Sequence, residues 1–551
     1  MRRLIAWLDV IAKKPLEFWA VQTILMATLA TLFWTMPSSG QFWWGDAGRH
    51  AMNGLFYLDL FKNLPFSDPM KWALSYYVKY PCITAVYYPP LFHLAEALMF
   101  ALLGVSARAA YLTVVLFSLL GALGTYGLAR RWMDRWPSLA AALLYLSVPI
   151  DAFWGREVAL EMPAYVGAIW ASLLTFRYLD HRRIATLLWA VTAFALALYT
   201  KQLVAFAGFP LVYLLWKAEG PRLWKSPRYW LAAGLFCIEM VPLIVVMLKF
   251  GSLNFTYASS GTSGDLSLWA FDSWSFYLRA LPKMLGWPLL ALLPALGTAW
   301  MLSRTRKRNP LPDSLSFARF STIWLVSGYL FFTFLRHKEI RYGIHILFPI
   351  YLALPMVMVL LLPKQQAAVF AMALALASVT GNVILTSGPW ITGYEHAADL
   401  LAEQMPKGGM ALLFADRDAD LVFNLRAHGD REDISFLRAD KILTDYTMNR
   451  ADGIQQANLT QAQVGELLDR YGVSYAVFEP DFWDDLEVIR KLGDELNSDH
   501  FTRVGSVPVD SNQKHSEREL LIYRNNHPVH PDPNLIKLKL RMIGLEVGGN
   551  K

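Results

Sequence analysis

The stretch Leu91–Leu103, which reads Leu-Phe-His-Leu-Ala-Glu-Ala-Leu-Met-Phe-Ala-Leu-Leu, decides how the rest of the chain is arranged. As a helix it would be about 20 Å long, whereas the hydrocarbon core of a bilayer is about 30 Å thick. The stretch contains His93 and Glu96, and it follows Pro89 and Pro90. We therefore predict an amphipathic helix that lies in the membrane interface and does not cross the bilayer.

Basic residues cluster in short loops, and their placement gives a second test of the same stretch. If Leu91–Leu103 does not cross, almost every basic loop shares a side with the N-terminus, which satisfies the positive-inside rule. These loops contain Arg2 and Arg3; Arg130, Arg131 and Arg135; Arg182 and Arg183; Lys217, Arg222, Lys225 and Arg228; Arg304, Arg306, Lys307 and Arg308; and Lys364. If the stretch did cross, all the later loops would face outward. We therefore predict a cytoplasmic N-terminus.

The composition is typical of a polytopic α-helical membrane protein. Of 551 residues, 55% are hydrophobic and 17% are charged, and the mean hydropathy is +0.31. Repeated apolar runs predict about eleven spans. The runs are Phe18–Met36, Ala107–Ala129, Ser138–Trp154, Pro163–Phe176, Ile184–Tyr199, Leu203–Trp216, Tyr229–Leu248, Met284–Leu302, Phe317–Phe334, Ile344–Leu362 and Ala367–Leu385. The net charge of +7 comes from the basic loops, so it reflects topology and indicates no nucleic-acid partner.

Charged residues become frequent after Leu385, and the apolar runs shorten to strand length. Strands that alternate with helical patterns predict a small soluble α/β domain on the outer, extracytoplasmic side. We therefore divide the chain into a transmembrane domain at 1–386, an outer domain at 387–525 and a loosely ordered tail at 526–551. The predicted strands are Gly409–Ala415, Val473–Phe478, Phe501–Val509 and Leu520–Tyr523, and the predicted helices are Leu400–Met405, Ala419–Arg426, Gln461–Tyr471 and Asp481–Leu492.

An acidic residue, Asp46, follows the first apolar run and stands close to Trp43 and Trp44. Tryptophan prefers the depth of the membrane–water boundary, so we expect the carboxylate there. Arg49 and His50 come on the following helical turn. The alternative is structural, because an aspartate at this position could simply cap the helix that begins next to it.

A second outer segment carries Arg156, Glu157 and Glu161 shortly before Pro163, where an apolar span begins. Two carboxylates and an arginine suit a polar site at the membrane surface. Proline in the first helical turn with an acid beside it is, however, also an ordinary helix start. Lys201 lies between two apolar runs with no room for a long loop. It either extends toward lipid headgroups or pairs with a carboxylate or phosphate.

Cations precede a late apolar span on the outer side, where the positive-inside rule predicts few of them. This segment includes Lys338, Arg341 and Tyr342. Arginine and lysine both bind phosphate, so the segment suits an anionic phosphate at membrane depth. Contact with anionic headgroups alone is the alternative. Tyr88 and His93 flank the Pro-Pro pair that leads the interfacial helix, where a histidine is more often packed than a ligand.

Taken in order, these motifs resemble the GT-C superfamily of membrane glycosyltransferases, and most closely the branch of protein O-mannosyltransferases and lipid A aminoarabinose transferases. The shared features are an acidic motif after the first span, a Pro-Pro element before a short helix, an Arg-to-Met-Pro motif, a Thr-Lys turn and a basic Arg-Tyr motif. They correspond to Gly45–His50, Tyr88–Gly104, Arg156–Pro163, Thr200–Lys201 and Lys338–Pro349. The resemblance covers roughly Phe18–Leu385 and implies that 1–386 is a GT-C-like catalytic domain.

The resemblance implies a sugar donor linked through phosphate to a polyprenyl lipid, and a glycan, lipid or protein acceptor on the outer side. Asp46 would be the general base, and Glu161 would orient a substrate or hold a metal. Arg156 would fix Glu161, and direct displacement would invert the anomeric carbon. The residues expected to bind substrate are Arg49, His50, Tyr88, His93, Arg156, Glu157, Lys201, Lys338, Arg341 and Tyr342.

The sequence departs from the family pattern at two positions. Ala47 follows Asp46 where the family often has a second acid, and Glu161 stands where the family usually has aspartate. These carboxylates are the ones that would ligate a metal, so metal dependence stays open, with a divalent ion as the candidate cofactor. The resemblance also implies an integral protein of the bacterial inner membrane, in contact with its lipids.

Three other functions are compatible with the sequence. A transporter or flippase of lipid-linked sugars predicts charges deep within the spans and inverted repeats, whereas the charges here gather at one interface. A glycan ligase of the GT-C type would move a preassembled glycan. A non-catalytic scaffold has no need for Asp46, Glu161 and Lys338 to converge, so separations beyond about 15 Å would favour it.

Overall fold

The computed structural model describes residues 15–250, 266–305, 314–446, 453–527, 538–540 and 545–547. Its helices are α1 (Leu16–Trp34), α2 (Ala47–Asn63), α3 (Pro69–Lys79), α4 (Leu91–Leu103), α5 (Ala107–Ala129), α6 (Arg135–Ser147), α7 (Pro149–Trp154), α8 (Glu161–His181), α9 (Ile184–Leu198), α10 (Gly208–Glu219), α11 (Pro227–Phe250), α12 (Phe271–Leu285), α13 (Trp287–Thr305), α14 (Ser314–Phe334), α15 (Gly343–Leu361), α16 (Lys364–Val379), α17 (Tyr394–Gln404), α18 (Asp418–Ala427), α19 (Ala439–Leu443), α20 (Gln461–Arg470) and α21 (Glu487–Leu496). Short 3₁₀ segments at Gln202–Ala207, Gly220–Lys225 and Ile340–Tyr342 and a π-helical turn at Thr380–Ile384 connect some of them. The basic residues at 2–3 and 306–308 lie outside the described residues.

In the described part of the chain, seven helical segments are long and apolar enough to cross a membrane. They are Leu16–Trp34, Ala107–Ala129, Gln202–Lys225, Pro227–Phe250, Leu315–Phe334, Ile340–Leu361 and Lys364–Ile384. The prediction of a polytopic helical membrane protein is therefore confirmed. Helices α8 and α13 coincide with two further predicted spans, and α9 is apolar but shorter. The count of eleven spans stays a prediction.

Helix α4 has the bounds that the sequence predicts. It buries its two polar residues, since His93 and Glu96 have no exposed surface, while Leu98 and Leu102 are 59% and 68% exposed. The helix is thus amphipathic, but its polar side is buried and its apolar side is exposed. Its polar side packs against α2 and α5, and its leucines face outward. A short helix of this kind can rest at the lipid boundary, because protein rather than water surrounds its polar groups.

One predicted span is interrupted and another begins later than predicted, each for a local reason. The run Ser138–Trp154 divides into α6 and α7 because Pro149 lacks an N–H and holds Val148 in an extended conformation, with φ −62° and ψ 148°. The first two residues of the run Met284–Leu302 belong to α12, which ends at Gly286 with a φ of +78°, and the rest of the run lies in α13. Hydropathy alone detects neither the break at Pro149 nor the late start of α13.

The outer domain contains a mixed sheet with the strand order β2-β1-β5-β7-β6. Its strands β2, β1 and β5 are parallel, and β7 and β6 are antiparallel to their neighbours. The strands are β1 (Met410–Phe414), β2 (Ser435–Arg438), β3 (Thr444–Tyr446), β4 (Ile454–Gln456), β5 (Val473–Phe478), β6 (Phe501–Pro508), β7 (Glu519–Asn525), β8 (Leu538–Leu540) and β9 (Leu545–Val547). Strands β3 and β4 pair separately, as do β8 and β9 within the predicted tail.

The sequence finds four of the five strands of this sheet. The predicted runs correspond to β1, β5, β6 and β7 within a few residues. The missed strand is β2, which has four residues of which two are polar, so it shows no apolar run. The helix predicted at Asp481–Leu492 begins only at Glu487. The domain boundaries themselves stay predictions.

The outer domain is attached to the transmembrane domain through a contact between α18 and α2. An ion pair between the two helices lies at each end of this contact. Arg49 Nη2 lies 3.1 Å from Asp418 Oδ1, and Arg426 Nη2 lies 3.2 Å from Asp59 Oδ2. Each helix supplies one cation and one anion, and the order of the charges is opposite in the two. The paired charges therefore favour a single register of the two helices.

Gly48 allows the two helices to approach closely. A Cβ atom added at this position would lie 2.0 Å from Asp420 Oδ1 and 2.7 Å from the backbone nitrogen of Asp420. Any side chain would therefore push α18 away from α2, because the atoms it meets include backbone. The glycine of the first outer motif is thus needed for docking of the outer domain.

A buried carboxyl should make the stability of the outer domain depend on pH. Burial raises the pKa of Glu479, at the end of β5, from its ordinary 4.5 to about 7. The folded state therefore binds this proton more tightly, and its stabilisation, at most about 3 kcal/mol, is complete below about pH 4.5 and is lost as the pH rises through 7. We expect Glu479→Gln to raise the thermal midpoint in detergent at pH 8 but not at pH 5.

The matched control for this prediction is Glu487→Gln, since the Glu487 side chain is 69% exposed. This control should change the midpoint little at either pH. Equal stabilisation by Glu479→Gln at both pH values would contradict the assignment.

Candidate active site

Asp46 stands immediately before α2, and its side chain is 29% exposed. It makes no side-chain capping hydrogen bond to the helix, so the structural alternative does not describe it. Instead Arg49 places Nη1 3.1 Å from Oδ1, and the Tyr88 hydroxyl lies 3.3 Å from Oδ2. Burial and the Asp46 carboxylate hold the pKa of Tyr88 well above its ordinary value, so its hydroxyl stays protonated and donates. Two donors thus orient a carboxylate that keeps one side open.

His50 and His93 form a buried pair next to Asp46. His50 Nδ1 lies 3.0 Å from His93 Nε2, and neither residue has exposed surface. Burial lowers the pKa of His50 to about 3, so this imidazole is neutral at physiological pH. Its ring contacts Tyr88 and Trp44, with centroids 4.6 and 5.6 Å away. The histidines therefore pack against the side chains around Asp46, and their binding of substrate stays a prediction.

Glu161 opens α8 and has no exposed surface. Its Oε1 accepts a hydrogen bond from Lys201 Nζ and lies 3.2 Å from Arg341 Nε. A buried carboxylate needs such counter-charges because water cannot solvate it. The three residues come from separate segments of the chain, and the ion cluster joins the start of α8 to the turn after α9 and to the segment before α15.

The Arg341 guanidinium connects this ion cluster to the Asp46 segment. It stacks on Trp44, with the guanidinium carbon 4.1 Å from the ring centroid, and it also contacts Trp154 at 5.5 Å. Glu339 accepts a hydrogen bond from Nη2 at 2.7 Å. Among the described residues, Nη1 has no hydrogen-bond partner. Because Trp44 lies two residues before Asp46, the cation and the carboxylate line one site.

The turn that carries Lys201 is fixed by the Pro-Pro element. The backbone nitrogen of Leu91, which follows Pro90, donates to the carbonyl oxygen of Tyr199 at 3.0 Å. Lys201 Nζ also lies 5.4 Å from the ring centroid of Tyr342. The motifs that the sequence separates by more than a hundred residues therefore meet at one place.

Arg156 takes a different position from the one expected. Its Nη1 donates to the carbonyl oxygen of Thr386 at 2.6 Å and its Nη2 donates to that of Asn382 at 2.9 Å. Nε donates to the carbonyl oxygen of Ala152 at 2.7 Å. Arg156 thus fastens α7 to the end of the last helix of the transmembrane domain. Fixing of Glu161, which the sequence assigned to Arg156, falls instead to Lys201 and Arg341.

Lys338 and Glu157 also contact protein in this structure. Lys338 Nζ donates to the carbonyl oxygens of Thr333 and Leu335 at 2.7 and 2.6 Å, where it caps the carboxyl end of α14. Glu157 has no exposed surface, and burial raises its pKa well above the ordinary value. It lies near Arg417, at the junction with the outer domain. Neither residue contributes to the cluster around Arg341, and their binding of substrate stays a prediction.

The residues around Asp46 and Glu161 do not suit a divalent cation. In the described part of the chain, no group of three or more His, Cys, Asp or Glu side chains has the arrangement of a metal site. Each carboxylate is already neutralised by cations, namely Arg49 for Asp46 and Lys201 with Arg341 for Glu161. A divalent metal would have to displace those cations to reach either carboxylate.

Sequence reasoning missed three residues of the site. Trp154 stacks on Arg341, and its position just before Arg156 repeats the pairing of tryptophan with a polar motif seen at Trp43 and Trp44. Glu339 lies within a segment noticed for its cations alone. Asp418 pairs with Arg49 from 369 residues away, and no local pattern indicates such a contact.

Comparison with known proteins identifies the fold. Residues 88–246 match the family described as dolichyl-phosphate-mannose-protein mannosyltransferase. This segment is less than half of the chain and includes the Pro-Pro, Arg156–Pro163 and Lys201 motifs. No curated protein matches the sequence.

Solved structures resemble most of the chain. ArnT from Cupriavidus metallidurans in the apo state superposes with a TM-score of 0.59 and 17% identity, covering 92% of this chain and 97% of ArnT. ArnT bound to undecaprenyl phosphate gives a TM-score of 0.60 and 16% identity, with 92% and 98% covered. At this identity the likeness establishes the fold, including both the helical domain and the outer domain.

The buried ion cluster leads to a stability prediction. Lys201→Met should leave Glu161 short of counter-charge in a site without water, at a cost of about 3–5 kcal/mol. The double variant Glu161→Gln/Lys201→Met should recover most of this loss, because Arg341 still pairs with Glu339. Unfolding of the purified protein by denaturant in detergent measures both.

A matched control is Lys364→Met, which breaks a 3.0 Å pair with Asp134 on the surface, where both side chains are largely exposed. This change should cost less than about 1 kcal/mol. Equal destabilisation by Lys201→Met and Lys364→Met would contradict the role of the cluster.

Proposed function

We propose that this chain, which has the fold of the GT-C membrane glycosyltransferases, transfers a sugar from a polyprenyl-phosphate donor to an acceptor on the outer side of the membrane. The observation that carries the proposal is the convergence at Trp44. A partly exposed carboxylate, Asp46, lies on one side of it, and the cation Arg341 stacks on it. General-base catalysis and binding of a phosphate leaving group need these two functions side by side.

In this mechanism Asp46 accepts a proton from the acceptor hydroxyl or amine as the acceptor oxygen or nitrogen attacks the anomeric carbon. The bond between the anomeric carbon and the phosphate oxygen breaks, and the polyprenyl phosphate leaves with the bonding electron pair. Direct displacement inverts the anomeric carbon. Arg49 and Tyr88 aim the carboxylate, so proximity and orientation contribute to the rate.

The departing phosphate is stabilised by Arg341. Its Nη1 is buried and without a partner among the described residues, so it can donate to a phosphate oxygen without first giving up a bond to the protein. Trp44 and Trp154 fix the plane of the guanidinium. Glu161 acts as a positioning residue that holds Lys201 and Arg341 together rather than as an acid that touches the sugar.

The lipid part of the donor follows from the comparisons. The matched family is described by dolichyl-phosphate mannose, and one of the ArnT structures is bound to undecaprenyl phosphate. Both lipids are polyprenyl phosphates, and the exposed apolar surface of the transmembrane helices suits such a chain. The proposed setting is a bacterial inner membrane, with the N-terminus in the cytoplasm and the outer domain outside. The acceptor is a glycan, a lipid or a protein.

A flippase of lipid-linked sugars and a glycan ligase of the GT-C type are the competing functions. A flippase moves the donor intact, whereas a transferase releases polyprenyl phosphate. A ligase also releases lipid phosphate, but it uses a donor that carries a preassembled glycan. Mass spectrometry of the lipid-linked sugars that accumulate when the gene is removed identifies the donor and separates these functions.

Asp46→Asn should abolish transfer and leave the protein folded, because the amide cannot accept the proton but keeps nearly the same shape. The assay follows release of polyprenyl phosphate from the accumulated donor by purified protein in detergent, with a membrane extract as the source of acceptor. We expect a loss of at least about a hundredfold.

The matched control for this assay is Asp494→Asn, an exposed aspartate of the outer domain, which should retain wild-type activity. Wild-type release by Asp46→Asn would overturn the base assignment, and no release by the wild-type protein would overturn the proposed reaction.

Arg341 should be needed for binding of the lipid phosphate independently of chemistry. Undecaprenyl phosphate should raise the thermal midpoint of the wild-type protein and of Asp46→Asn, but not that of Arg341→Met. Arg341→Lys should restore only part of the effect, because lysine keeps the charge and loses the stacked, forked geometry. An undiminished shift in Arg341→Met would contradict this site for the phosphate.

A further inference from the structure

A chain of alternating charges runs from Asp46 into the outer domain. Arg49 lies between Asp46 and Asp418, with 3.1 Å to each. Asp418 Oδ2 lies 3.1 Å from Arg438 Nη1, and Arg438 donates to Asp440 through two nitrogens at 2.9 and 2.8 Å. The exposed fraction of the carboxylates falls from 29% at Asp46 to 3% at Asp418. The partly exposed Asp46 carboxylate is therefore linked through Arg49 to a buried carboxylate, Asp418.

The outer members of this chain stand at one edge of the sheet. Asp418 follows the carboxyl end of β1, and Arg438 is the last residue of β2. These strands are parallel neighbours, so their carboxyl ends open at the same edge, where α/β sheets carry functional groups. Burial alone would raise the pKa of Asp440, but Arg438 and Lys441 hold it below its ordinary value. Asp440 thus stays charged and keeps Arg438 in place.

The same edge of the sheet holds the Asp46 segment at further points. Arg417 Nε donates to the carbonyl oxygen of Trp43 at 2.8 Å, and Trp43 Nε1 donates to the carbonyl oxygen of Lys514 at 3.2 Å. On the other side of Asp46, Gly48 abuts the backbone of α18. The outer domain therefore contacts residues 43–49 both before and after Asp46.

We propose that Asp418 is a positioning residue of the outer domain, which orients Asp46 and sets its basicity through Arg49. The inference rests on the proposed role of Asp46 as the general base. Asp418 touches no reacting atom. It takes up part of the charge of Arg49 and fixes the direction of the guanidinium, so full activity requires the docked outer domain.

The surrounding charges determine the direction of the effect. The charged and titratable groups that face Asp46 are Arg49 from α2, Tyr88 from the segment before α4, Arg341 across Trp44, and Asp418 and Arg438 by way of Arg49. Loss of the Asp418 charge removes a repulsion and leaves Arg49 to Asp46 alone, so Asp46 holds its proton less tightly. Loss of the Arg49 charge has the opposite effect.

The experiment measures protonation of Asp46 in the full-length protein in detergent. A water-soluble carbodiimide couples glycine ethyl ester to carboxyl groups, and peptide mass spectrometry follows labelling of Asp46 across about pH 2–7, a range that includes the ordinary titration of carboxyl groups. The exposed Glu487 serves as the internal reference. We expect Asp418→Asn to move the labelling midpoint of Asp46 down by about one pH unit, and Arg49→Gln to move it up by a similar amount.

Two further variants make the result specific. Asp433→Asn is the matched control, because it removes an outer-domain aspartate that pairs with Arg431 at 2.8 Å and does not touch the charge chain. The labelling midpoint of Asp46 in Asp433→Asn should equal that in the wild type. Asp418→Glu restores the charge and should recover most of the shift. A midpoint in Asp418→Asn that matches Asp433→Asn, or that rises, overturns the inference.

Arg438→Gln keeps the test decisive if Asp418→Asn does not fold. This change removes a cation and leaves Asp418 to draw Arg49 away from Asp46, so the labelling midpoint should rise. Thermal unfolding and gel filtration check that Arg438→Gln is folded. An unchanged labelling midpoint of Asp46 in the folded variant would contradict the link between Asp418 and Asp46 as clearly as an unchanged midpoint in Asp418→Asn.

Kinetics separate this inference from the proposed function. With the accumulated donor, Asp418→Asn should lower kcat/KM about tenfold, with the acid limb of its pH profile displaced downward and the KM for donor nearly constant. If the wild-type protein releases no polyprenyl phosphate, the proposed reaction fails, while the labelling shift still decides the link between Asp418 and Asp46. If the wild type is active and Asp418→Asn keeps its rate and pH profile, the inference alone fails.

Discussion

The negative charge of Glu161 lies where water does not reach it, and much of the site follows from that constraint. Lys201 and Arg341 have to approach it, since an unpaired carboxylate in such a place would cost several kcal/mol. Their approach brings the turn after α9 and the segment before α15 to the start of α8. Arg341 then lies where Trp44 can stack on it, and Trp44 brings the Asp46 segment to the same place. An ion cluster that stabilises the outer ends of the helices thereby also assembles the site.

Docking of the outer domain is a second constraint, and it acts on the same segment. The α18–α2 contact has an ion pair at each end, and Gly48 permits the close approach between them. The contact therefore does more than attach one domain to another, because Arg49 serves both the interface and Asp46. A residue shared in this way couples the geometry of the site to the position of the outer domain. Gly48 and Arg49 thus belong to the interface as well as to the first outer motif.

Much of the fold and part of the site could be predicted from the sequence. The bounds of α4, the outer sheet and the resemblance to the GT-C superfamily are confirmed, because hydrophobic periodicity and ordered motifs are local properties of a chain. The break at Pro149 and the late start of α13 after Gly286 were missed, since hydropathy does not detect backbone constraints at single residues. Lys338 was expected at a phosphate, yet its amine caps α14, because a nearby helix end offers three carbonyl oxygens to a flexible cation.

The sequence by itself determined the fold class, a helical membrane protein with an α/β domain, and it predicted the side on which the acids and cations gather and the role of Asp46. These features depend on the order of apolar and polar residues along the chain, because that order determines which segments enter the bilayer and which stay in water. Only the tertiary structure decided which charges meet. In the structure Glu161 pairs with Lys201 and Arg341, and Arg49 pairs with Asp418. Arg156 donates hydrogen bonds to backbone carbonyl oxygens. Such pairings depend on the packing of distant segments, and a charge far away in sequence leaves no local trace of the partner that neutralises it.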